Sequence, residues 1–223
     1  MEGVMKPKQI IIIRHGQSQA NIDKGMYEHT PDHLVNLTES GKEQCIKTGV
    51  KLNELLANKN VTVWSSPYNR ARQTTELITS ELKSNIKYKE DPRLREQDWG
   101  NFYTEDEARL KYEDRKRHSY FFYRIENGES GADVYDRIST FLETLYRDFS
   151  QDNWTDSLVI STHGITALVF LMRYFHWSYE QYEEAEKFFN CGFVVLELDE
   201  ESERYHLSID MREGIDSVLE SDL

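Results

Sequence analysis

Short apolar runs alternate along this chain with longer segments whose apolar residues recur at helical spacing. A short apolar run bounded by turn residues is typical of a buried strand, and a longer periodic segment is typical of a helix. The alternation therefore predicts an α/β fold, a three-layer α/β/α single domain with a central, mostly parallel β-sheet. The predicted strands are 10–13, 61–64, 86–88, 158–160, 193–198 and 205–209, and the predicted helices are 38–56, 68–82, 105–118, 130–149 and 165–175.

The length and charge of the chain limit its organisation and its partners. A chain of 223 residues fits one large domain, which we expect to span 1–223, with a partly flexible acidic tail over 200–223. The formal net charge of −13 argues against nucleic acid and anionic membranes as partners. No apolar stretch approaches the ~20 residues of a membrane helix, and residues 1–9 lack the apolar core of a secretory signal. We therefore expect a cytoplasmic protein, monomeric or homodimeric, whose two cysteines, Cys45 and Cys191, are reduced core residues.

The dipeptide His-Gly occurs twice, each time where a predicted strand ends. The first follows the run 10–13 as Arg14, His15 and Gly16, and the second follows the run 158–160 and two hydroxyl residues as His163 and Gly164. In an open α/β sheet, ligands bind at the edge formed by the carboxyl ends of the strands. Two imidazoles at that edge, 148 positions apart in sequence, predict a site for covalent and acid–base chemistry.

Arginines near two strand ends indicate that this site binds an anion. Arg14 follows the first strand, and Arg70 and Arg72 lie at the start of the helix predicted after the second. Helical geometry separates the latter two by about 200° around the axis, so only one can face the cleft. We expect it to be Arg70, which is nearer the helix start. Guanidinium groups beside a helix N-terminus suit phosphate, although each arginine taken alone could equally form a surface ion pair.

A loop with two carboxylates and a tryptophan, residues 94–100, follows the third predicted strand. A carboxyl group beside an aromatic ring can act as a proton donor near neutral pH, which makes Glu96 or Asp98 a candidate acid beside Trp99. Arg95 leaves a second interpretation open, in which its guanidinium holds Glu96 ionised in a salt bridge.

Four motifs occur in a fixed order along the chain. They are R-H-G-x-S-x-x-N from Arg14, S-S-P-x-x-R-A-x-Q-T from Ser65, L-R-E from Leu94 and T-H-G from Thr162. Together they resemble the motifs of the histidine phosphatase superfamily, also called phosphoglycerate-mutase-like, over residues 10–198. The resemblance implies a phosphoglycerate-mutase-like fold, in which His15 accepts the phosphoryl group and Glu96 gives a proton to the leaving group. It also implies a phosphate- and substrate-binding set made of Arg14, Arg70, His163, Asn21 and Gly164.

The chemistry of phosphoryl transfer fits these residue types. The transition state spreads negative charge over three oxygens, so the protein contributes mainly positioning and positive charge. We expect Arg14, Arg70 and a protonated His163 to supply that charge, with no metal and no other cofactor. His15, exposed at the strand end, should be neutral at pH 7 because the surrounding cations lower its pKa.

Two departures from the mutase pattern favour a phosphatase. The cofactor-dependent phosphoglycerate mutases of this family carry Glu-Arg-His-Tyr-Gly and His-Gly-Asn, whereas this chain has Trp99 and Ile165 in place of the tyrosine and the asparagine. Glu96 and Glu129 are also only 33 positions apart, without the longer basic segment of the mutases. We therefore predict hydrolysis of small phosphate monoesters through a phosphohistidine on His15. A cofactor-dependent mutase is the alternative, and a catalytically dead module that binds phosphorylated ligands is a second one, disfavoured because no catalytic position is lost.

A narrower resemblance links the chain to a eukaryotic branch of mutase-like phosphatases from fungi and plants, some of which are described as acid phosphatases. It is based on the segments 30–33, 95–102 and 128–137.

The loop 25–36 is expected to cover the phosphate site and to influence substrate choice. His29 and His33 within it are four positions apart, but Pro31 between them argues against a helical pair of zinc ligands.

Two segments that follow the loop 94–100, which we call the acid loop, each allow more than one role. The basic residues Arg115, Lys116 and Arg117 either grip a second anionic group or complement the dipole of a helix end. The aromatic run 120–123 is expected to form core or cleft wall rather than a platform for a nucleobase.

Overall fold

The computed structural model describes residues 6–101, 104–149 and 155–214 of the chain. Its strands are β1 (Gln9–Arg14), β2 (Asn60–Ser65), β3 (Asn85–Glu90), β4 (Ser157–Thr162), β5 (Phe193–Asp199) and β6 (Arg204–Met211). They form one sheet in the order β3-β2-β4-β1-β5-β6. The pairs β1–β4, β2–β4 and β2–β3 are parallel. Strand β5 runs antiparallel to β1, and β6 runs antiparallel to β5.

Helices cover both faces of this sheet. They are α1 (Gln19–Ile22), α2 (Glu39–Leu56), α3 (Asn69–Ser80), α4 (Glu105–His118), α5 (Gly131–Phe149), α6 (Gly164–Phe175) and α7 (Tyr179–Glu184), joined by 3-10 turns at Lys24–Glu28, Asp32–Leu34 and Pro92–Leu94. Apolar residues of α5 and α6 share one core with Ile10 and Ile12, and those of α2 and α3 share the other with Ile11 and Ile13. Because alternate residues of β1 enter opposite cores, the strand needs an unbroken apolar run. The predicted three-layer α/β/α architecture is confirmed.

The carboxyl ends of the parallel strands meet at one edge of the sheet. Parallel pairing of β1 with β4 places Arg14 opposite Thr162, and pairing of β2 with β4 brings the end of β2 to the same edge. The residues that follow β1 and β4, His15 and His163, therefore emerge side by side. His163 is the N-cap residue of α6, but its side chain makes no capping hydrogen bond, so the ring is available for other contacts.

The predicted helices and strands, including the strand 205–209, match the observed ones except at two short helices. Helices α1 and α7 were missed because one or two turns carry too little periodicity to be recognised. Within the stretch 200–223, predicted as a partly flexible tail, Arg204–Met211 forms β6 and pairs with β5, while residues 215–223 lie outside the described residues. Among the described helices, none is both long and apolar enough to cross a membrane.

Candidate active site

His15 lies at the floor of a cleft of about 970 Å³ on the carboxyl edge of the sheet. The side chain is buried, with 3% of its surface exposed, so the expectation of an exposed imidazole was wrong. The residue follows β1, which lies between β4 and β5 in the sheet. The centroid of the His163 ring is 5.1 Å from that of His15, and the ring planes meet at 66°. The two histidines are therefore in edge contact, as the repeated dipeptide predicted.

The two ring nitrogens of His15 have different partners. Nδ1 is 2.7 Å from the carbonyl oxygen of Gly16, and Nε of Arg70 donates to Nε2 across 3.2 Å. A carbonyl can only accept, so the proton sits on Nδ1 and the lone pair on Nε2. Burial, followed by the charges of Arg70 and Arg14, lowers the pKa of His15 well below 6.5. The imidazole is thus neutral, as expected, but burial contributes more to this than the nearby cations.

Gly16 allows the nucleophile loop to pack tightly against α2. A Cβ at this position would lie 2.6 Å from the carbonyl oxygen of Gly41 and 2.8 Å from Sγ of Cys45. The Gly16 N–H donates to Oγ1 of Thr74 across 3.0 Å, which ties the loop to α3. Cys45 and Cys191 are both buried, as predicted for core cysteines, with their sulfur atoms 3.5 Å apart beneath this loop. A glycine is therefore required for the backbone to hold His15 at the strand end.

Arg70 is the arginine of α3 that reaches the site. Its side chain is 4% exposed, and besides His15 it contacts Asp32, whose Oδ1 accepts from Nη1 at 2.8 Å and whose carbonyl oxygen accepts from the same nitrogen at 2.7 Å. Arg72 instead points to the surface and pairs with Glu90 across 2.7 Å. The prediction that only one of the two faces the cleft agrees with this geometry. Burial lowers the pKa of Arg70, but the charge of Asp32, its hydrogen bonds and other nearby anionic groups together raise it by more. The net shift is upward, so the guanidinium stays charged.

Arg14 lies on the other side of His15. Its Nη1 donates to the carbonyl oxygen of Phe188 across 2.6 Å, and its Nε is buried with no hydrogen-bond partner among the described residues. A Cβ on Gly164 would lie 3.5 Å from Nε and from Cδ of Arg14, so this glycine packs beside the guanidinium. Burial lowers the pKa of Arg14 below its usual range. One N–H of this cation is therefore left to donate to a ligand.

His163 is completely buried, and only one of its nitrogens is satisfied. Nε2 is 2.8 Å from Oγ of Ser66, whereas Nδ1 has no hydrogen-bond partner within the described part of the chain. Burial is the main cause, and the charge of Arg70 the next, of a pKa well below 6.5. The expectation of a protonated His163 was therefore wrong for the unliganded protein. A protonated His163 would be a third cation in the buried space that Arg14 and Arg70 already occupy, and this costs more free energy than a neutral imidazole.

Glu96 lines the cleft beside these residues. Its Oε1 accepts from the backbone N–H of Gln97 at 3.0 Å and from Oγ1 of Thr166 at 3.3 Å. Arg95 forms its ion pair with Glu129 and not with Glu96, so the alternative in which Arg95 holds Glu96 was wrong. Glu129 can outcompete Glu96 for Arg95 because it begins the segment before α5, which folds against the acid loop. Among the described residues, the carboxyl group of Glu96 is thus positioned through Oε1.

Asn21 also lines the cleft, at the end of α1. Its Oδ1 accepts from the N–H of Ser18 at 2.9 Å and from Nδ2 of Asn190 at 3.1 Å. The carbonyl end of the amide is therefore used to order the loop after His15, and the amide nitrogen is the end that can donate to a ligand.

Three residues at the site were not recognised from the sequence. Ser66 lies within the quoted S-S-P motif, but its contact with His163 spans 97 positions. Asp32 lies in the loop 25–36 that was expected to cover the site, and Thr166 follows the second His-Gly by one helical residue. Their types carry no catalytic signal, so only the motif positions of Ser66 and Asp32 could have drawn attention to them.

The basic segment of α4 divides into buried and exposed residues. Arg115 is 3% exposed and lines the cleft, while Lys116 and Arg117 are exposed. In the aromatic run 120–123, Tyr120 lines the cleft and Phe121 is in the core, but Phe122 is 58% exposed. The expected role as core or cleft wall holds for the first two only.

No group of three or more histidine, cysteine, aspartate or glutamate side chains is arranged to hold a metal ion in the described residues. His29 lines the outer part of the cleft without such neighbours. The positive charge that acts on His15 comes mainly from Arg70 and Arg14, with a smaller contribution from Lys24.

Comparison with known proteins places this geometry in context. Residues 10–210 match the model of the histidine phosphatase superfamily (branch 1). A phosphoglycerate mutase-like protein of Arabidopsis thaliana is 42% identical over 214 residues, which cover 88% of this chain and 76% of that protein. The broad-range acid phosphatase of Saccharomyces cerevisiae is 29% identical over 91% of this chain and 89% of its own length. Among solved structures, the complex of mycobacterial glucosyl-3-phosphoglycerate phosphatase with inorganic phosphate has a TM-score of 0.69 at 17% identity, covering 92% of this chain and 97% of that one, and so shares the fold.

Proposed function

The chain belongs to the histidine phosphatase superfamily, branch 1, and we propose that it hydrolyses phosphate monoesters, without a metal, through a phosphohistidine on His15. One arrangement carries this proposal. The ring of His15 contacts that of His163, and two buried nitrogens of its neighbours, Arg14 Nε and His163 Nδ1, have no hydrogen-bond partner among the described residues. Buried N–H groups are almost always paired in proteins, and the oxygens of a phosphoryl group would pair both.

Binding of the phosphoryl group uses the three cationic or donor side chains around His15. Arg14 and Arg70 supply fixed positive charge, and His163 donates from Nδ1 as a neutral imidazole because the hydroxyl of Ser66 satisfies Nε2. The terminal nitrogens of Arg70 now bind the carboxylate of Asp32. The incoming phosphate therefore exchanges with that carboxylate, one anion for another, on the same guanidinium.

Phosphoryl transfer then needs no deprotonation of the nucleophile. The Nε2 lone pair of His15, released from its hydrogen bond with Nε of Arg70, forms the N–P bond while the P–O bond of the ester breaks. The hydrogen bond from Nδ1 to the Gly16 carbonyl stabilises the positive charge that develops on the ring. Glu96, in its protonated form, gives its proton to the leaving oxygen.

Hydrolysis of the intermediate reverses the role of Glu96. The carboxylate accepts a proton from a water molecule, which attacks phosphorus as the N–P bond breaks. His15 recovers its lone pair, and inorganic phosphate leaves. The anchoring of Glu96 through Oε1 to Gln97 and Thr166 leaves Oε2 for both proton transfers.

The cleft favours hydrolysis over mutase chemistry. Trp99 and Ile165 both line it, at the two positions where the mutase pattern carries a tyrosine and an asparagine. A mutase has to hold a second phosphate or carboxylate, and these side chains offer it no anion-binding group. The yeast relative and the mycobacterial structural neighbour, both named as phosphatases, support the same choice.

The test is to trap the intermediate. Rapid quenching after mixing with a phosphorus-labelled aryl phosphate should give an acid-labile, base-stable label on His15, and His15→Ala should lose both the label and turnover. His206→Ala, at an exposed position of β6, is the matched control and should behave as the wild type. Near wild-type hydrolysis by His15→Ala would refute the proposal.

A further inference from the structure

The cleft is much larger than a phosphoryl group, and its outer half is aromatic. Trp99, Tyr112 and Tyr120 line this half, and we refer to these three side chains as the aromatic wall. The rings of Trp99 and Tyr112 stack, with centroids 6.4 Å apart and planes 19° apart, and the Tyr120 ring lies 6.3 Å from that of Tyr112. Ile165 and Leu168 of α6 also line the cleft and add apolar surface. This part of the cleft offers apolar surface to the organic part of a bound ester.

A buried arginine holds the aromatic wall in place. Arg115 donates from Nε and Nη2 to the carbonyl oxygen of Tyr120, at 3.0 and 2.6 Å. Its guanidinium carbon lies 5.3 Å from the Trp99 ring centroid and 5.2 Å from that of Tyr120. Tyr112 Oη and Tyr120 Oη are 3.5 Å apart. The wall is therefore organised before a ligand binds, which reduces the entropy that ordering would cost.

The cations of the outer half are already engaged. Arg115 serves the Tyr120 carbonyl, Arg109 pairs with Asp106 across 3.1 Å, and Nζ of Lys187 lies 5.2 Å from the centroid of the Tyr120 ring. Arg109 and Lys187 are exposed, and Arg115, the buried one of the three, already uses its Nε and Nη2 for the Tyr120 carbonyl oxygen. A second phosphate on the substrate would have to displace one of these contacts.

We propose that the aromatic wall is a binding site for a planar, uncharged group, so that the substrates preferred are phosphate monoesters of alcohols that carry an aromatic ring. The proposal rests on the proposed phosphatase function and adds the substrate class. A ring on the substrate stacks on or packs edge-on against Trp99 and Tyr112, while its phosphate reaches His15. Aromatic pairs gain from such geometry beyond the area they bury.

The test compares two esters whose leaving groups are primary alkoxides of similar basicity, 2-phenylethyl phosphate and propyl phosphate. Their difference in kcat/KM then reports ring binding and not leaving-group chemistry. We expect the wild type to favour the phenylethyl ester by about tenfold or more, the effect of one favourable aromatic contact plus apolar burial. Tyr112→Ala and Trp99→Ala should each remove most of this preference, measured as the ratio of the two kcat/KM values within the same variant.

Phe122→Ala is the matched control, because this aromatic residue is exposed and does not line the cleft. It should keep the preference. The inhibition constants of 2-phenylethylphosphonate and propylphosphonate give the same comparison without turnover. If Trp99→Ala does not fold, Tyr112→Ala still tests the aromatic wall, because Tyr112 is 41% exposed.

Equal kcat/KM for the two esters, or a preference for an ester with a second phosphate, would overturn the aromatic site while leaving the phosphatase proposal intact. Absence of hydrolysis of both esters, with no label on His15, would instead refute the proposed function itself.

Discussion

Asp32 binds the two terminal nitrogens of Arg70, whereas Nε of the same guanidinium contacts His15. Nη1 of Arg70 donates to Oδ1 of Asp32 at 2.8 Å, and Nη2 donates to Oδ2 at 3.4 Å. A carboxylate in this two-pronged geometry resembles a phosphate in both charge and shape. Asp32 therefore competes with the phosphate of a substrate for the same arginine.

Removing the charge of Asp32 should strengthen anion binding. Asp32→Asn keeps the side chain's size but weakens its hold on Arg70, so the inhibition constant of inorganic phosphate should fall by about tenfold, with a lower KM for aryl phosphates. Glu28→Gln changes the same charge on another cleft-lining carboxylate and should have a smaller effect. Weaker phosphate binding by Asp32→Asn would mean that Asp32 positions Arg70 instead of competing for it.

Replacing Glu96 by glutamine removes the transferable proton at nearly constant size. Alkyl phosphates, whose alkoxides leave badly, should lose about 10²–10⁴-fold in the rate of phosphorylation of His15, the usual worth of general acid catalysis. Nitrophenyl phosphate, whose leaving group needs no proton, should lose far less in this step. A burst measurement separates phosphorylation from the slower release of phosphate. Equal impairment for both substrates would point to Asp98 as the acid.

The two site histidines should make the ligand-free protein sensitive to acid. Burial and nearby charges lower the pKa of His15 and His163 well below 6.5, so both stay neutral in the folded state as the pH falls through that value. In the unfolded chain they become protonated, so the unfolded state binds more protons. The free energy of unfolding should then fall with decreasing pH below 6.5, by up to about 1.4 kcal/mol per pH unit for each histidine.

Urea titrations between pH 7.5 and 5 measure this slope. His163→Gln should reduce it by about 1.4 kcal/mol per pH unit relative to the wild type, because one of the two buried neutral imidazoles is gone. An unchanged slope would show that His163 is already protonated in the folded protein at these pH values.

Catalysis should survive chelation and be blocked by vanadate. Arg14 and Arg70 provide the positive charge at His15, and vanadate can adopt the five-coordinate geometry of phosphorus in the transition state. Hydrolysis of an aryl phosphate in excess EDTA should equal that in buffer alone, and micromolar to millimolar vanadate should inhibit competitively. Loss of activity in EDTA that zinc or magnesium restores would contradict metal independence.

The elements of the fold and the backbone position of the site could be predicted because they depend on local pattern. The run from Ile10 to Ile13 is apolar at every position, which only a strand covered on both faces requires. The glycines after His15 and His163 mark the strand ends, and ligands of open α/β sheets bind at that edge. Helical spacing was also enough to separate Arg70 from Arg72.

Tertiary structure decided which groups are paired and which are charged. Asp32 accepts hydrogen bonds from Arg70, which is 38 positions away, and Ser66 contacts one nitrogen of His163 across 97 positions. Arg95 forms its ion pair with Glu129 and not with Glu96. None of these partners is indicated by spacing, because each depends on loops that meet only in the folded chain. The protonation state of the site histidines also depends on the tertiary structure. The sequence alone determined that two histidines and two arginines meet at one sheet edge, but the neutral state of His163 is set by burial, which depends on every segment that covers the ring.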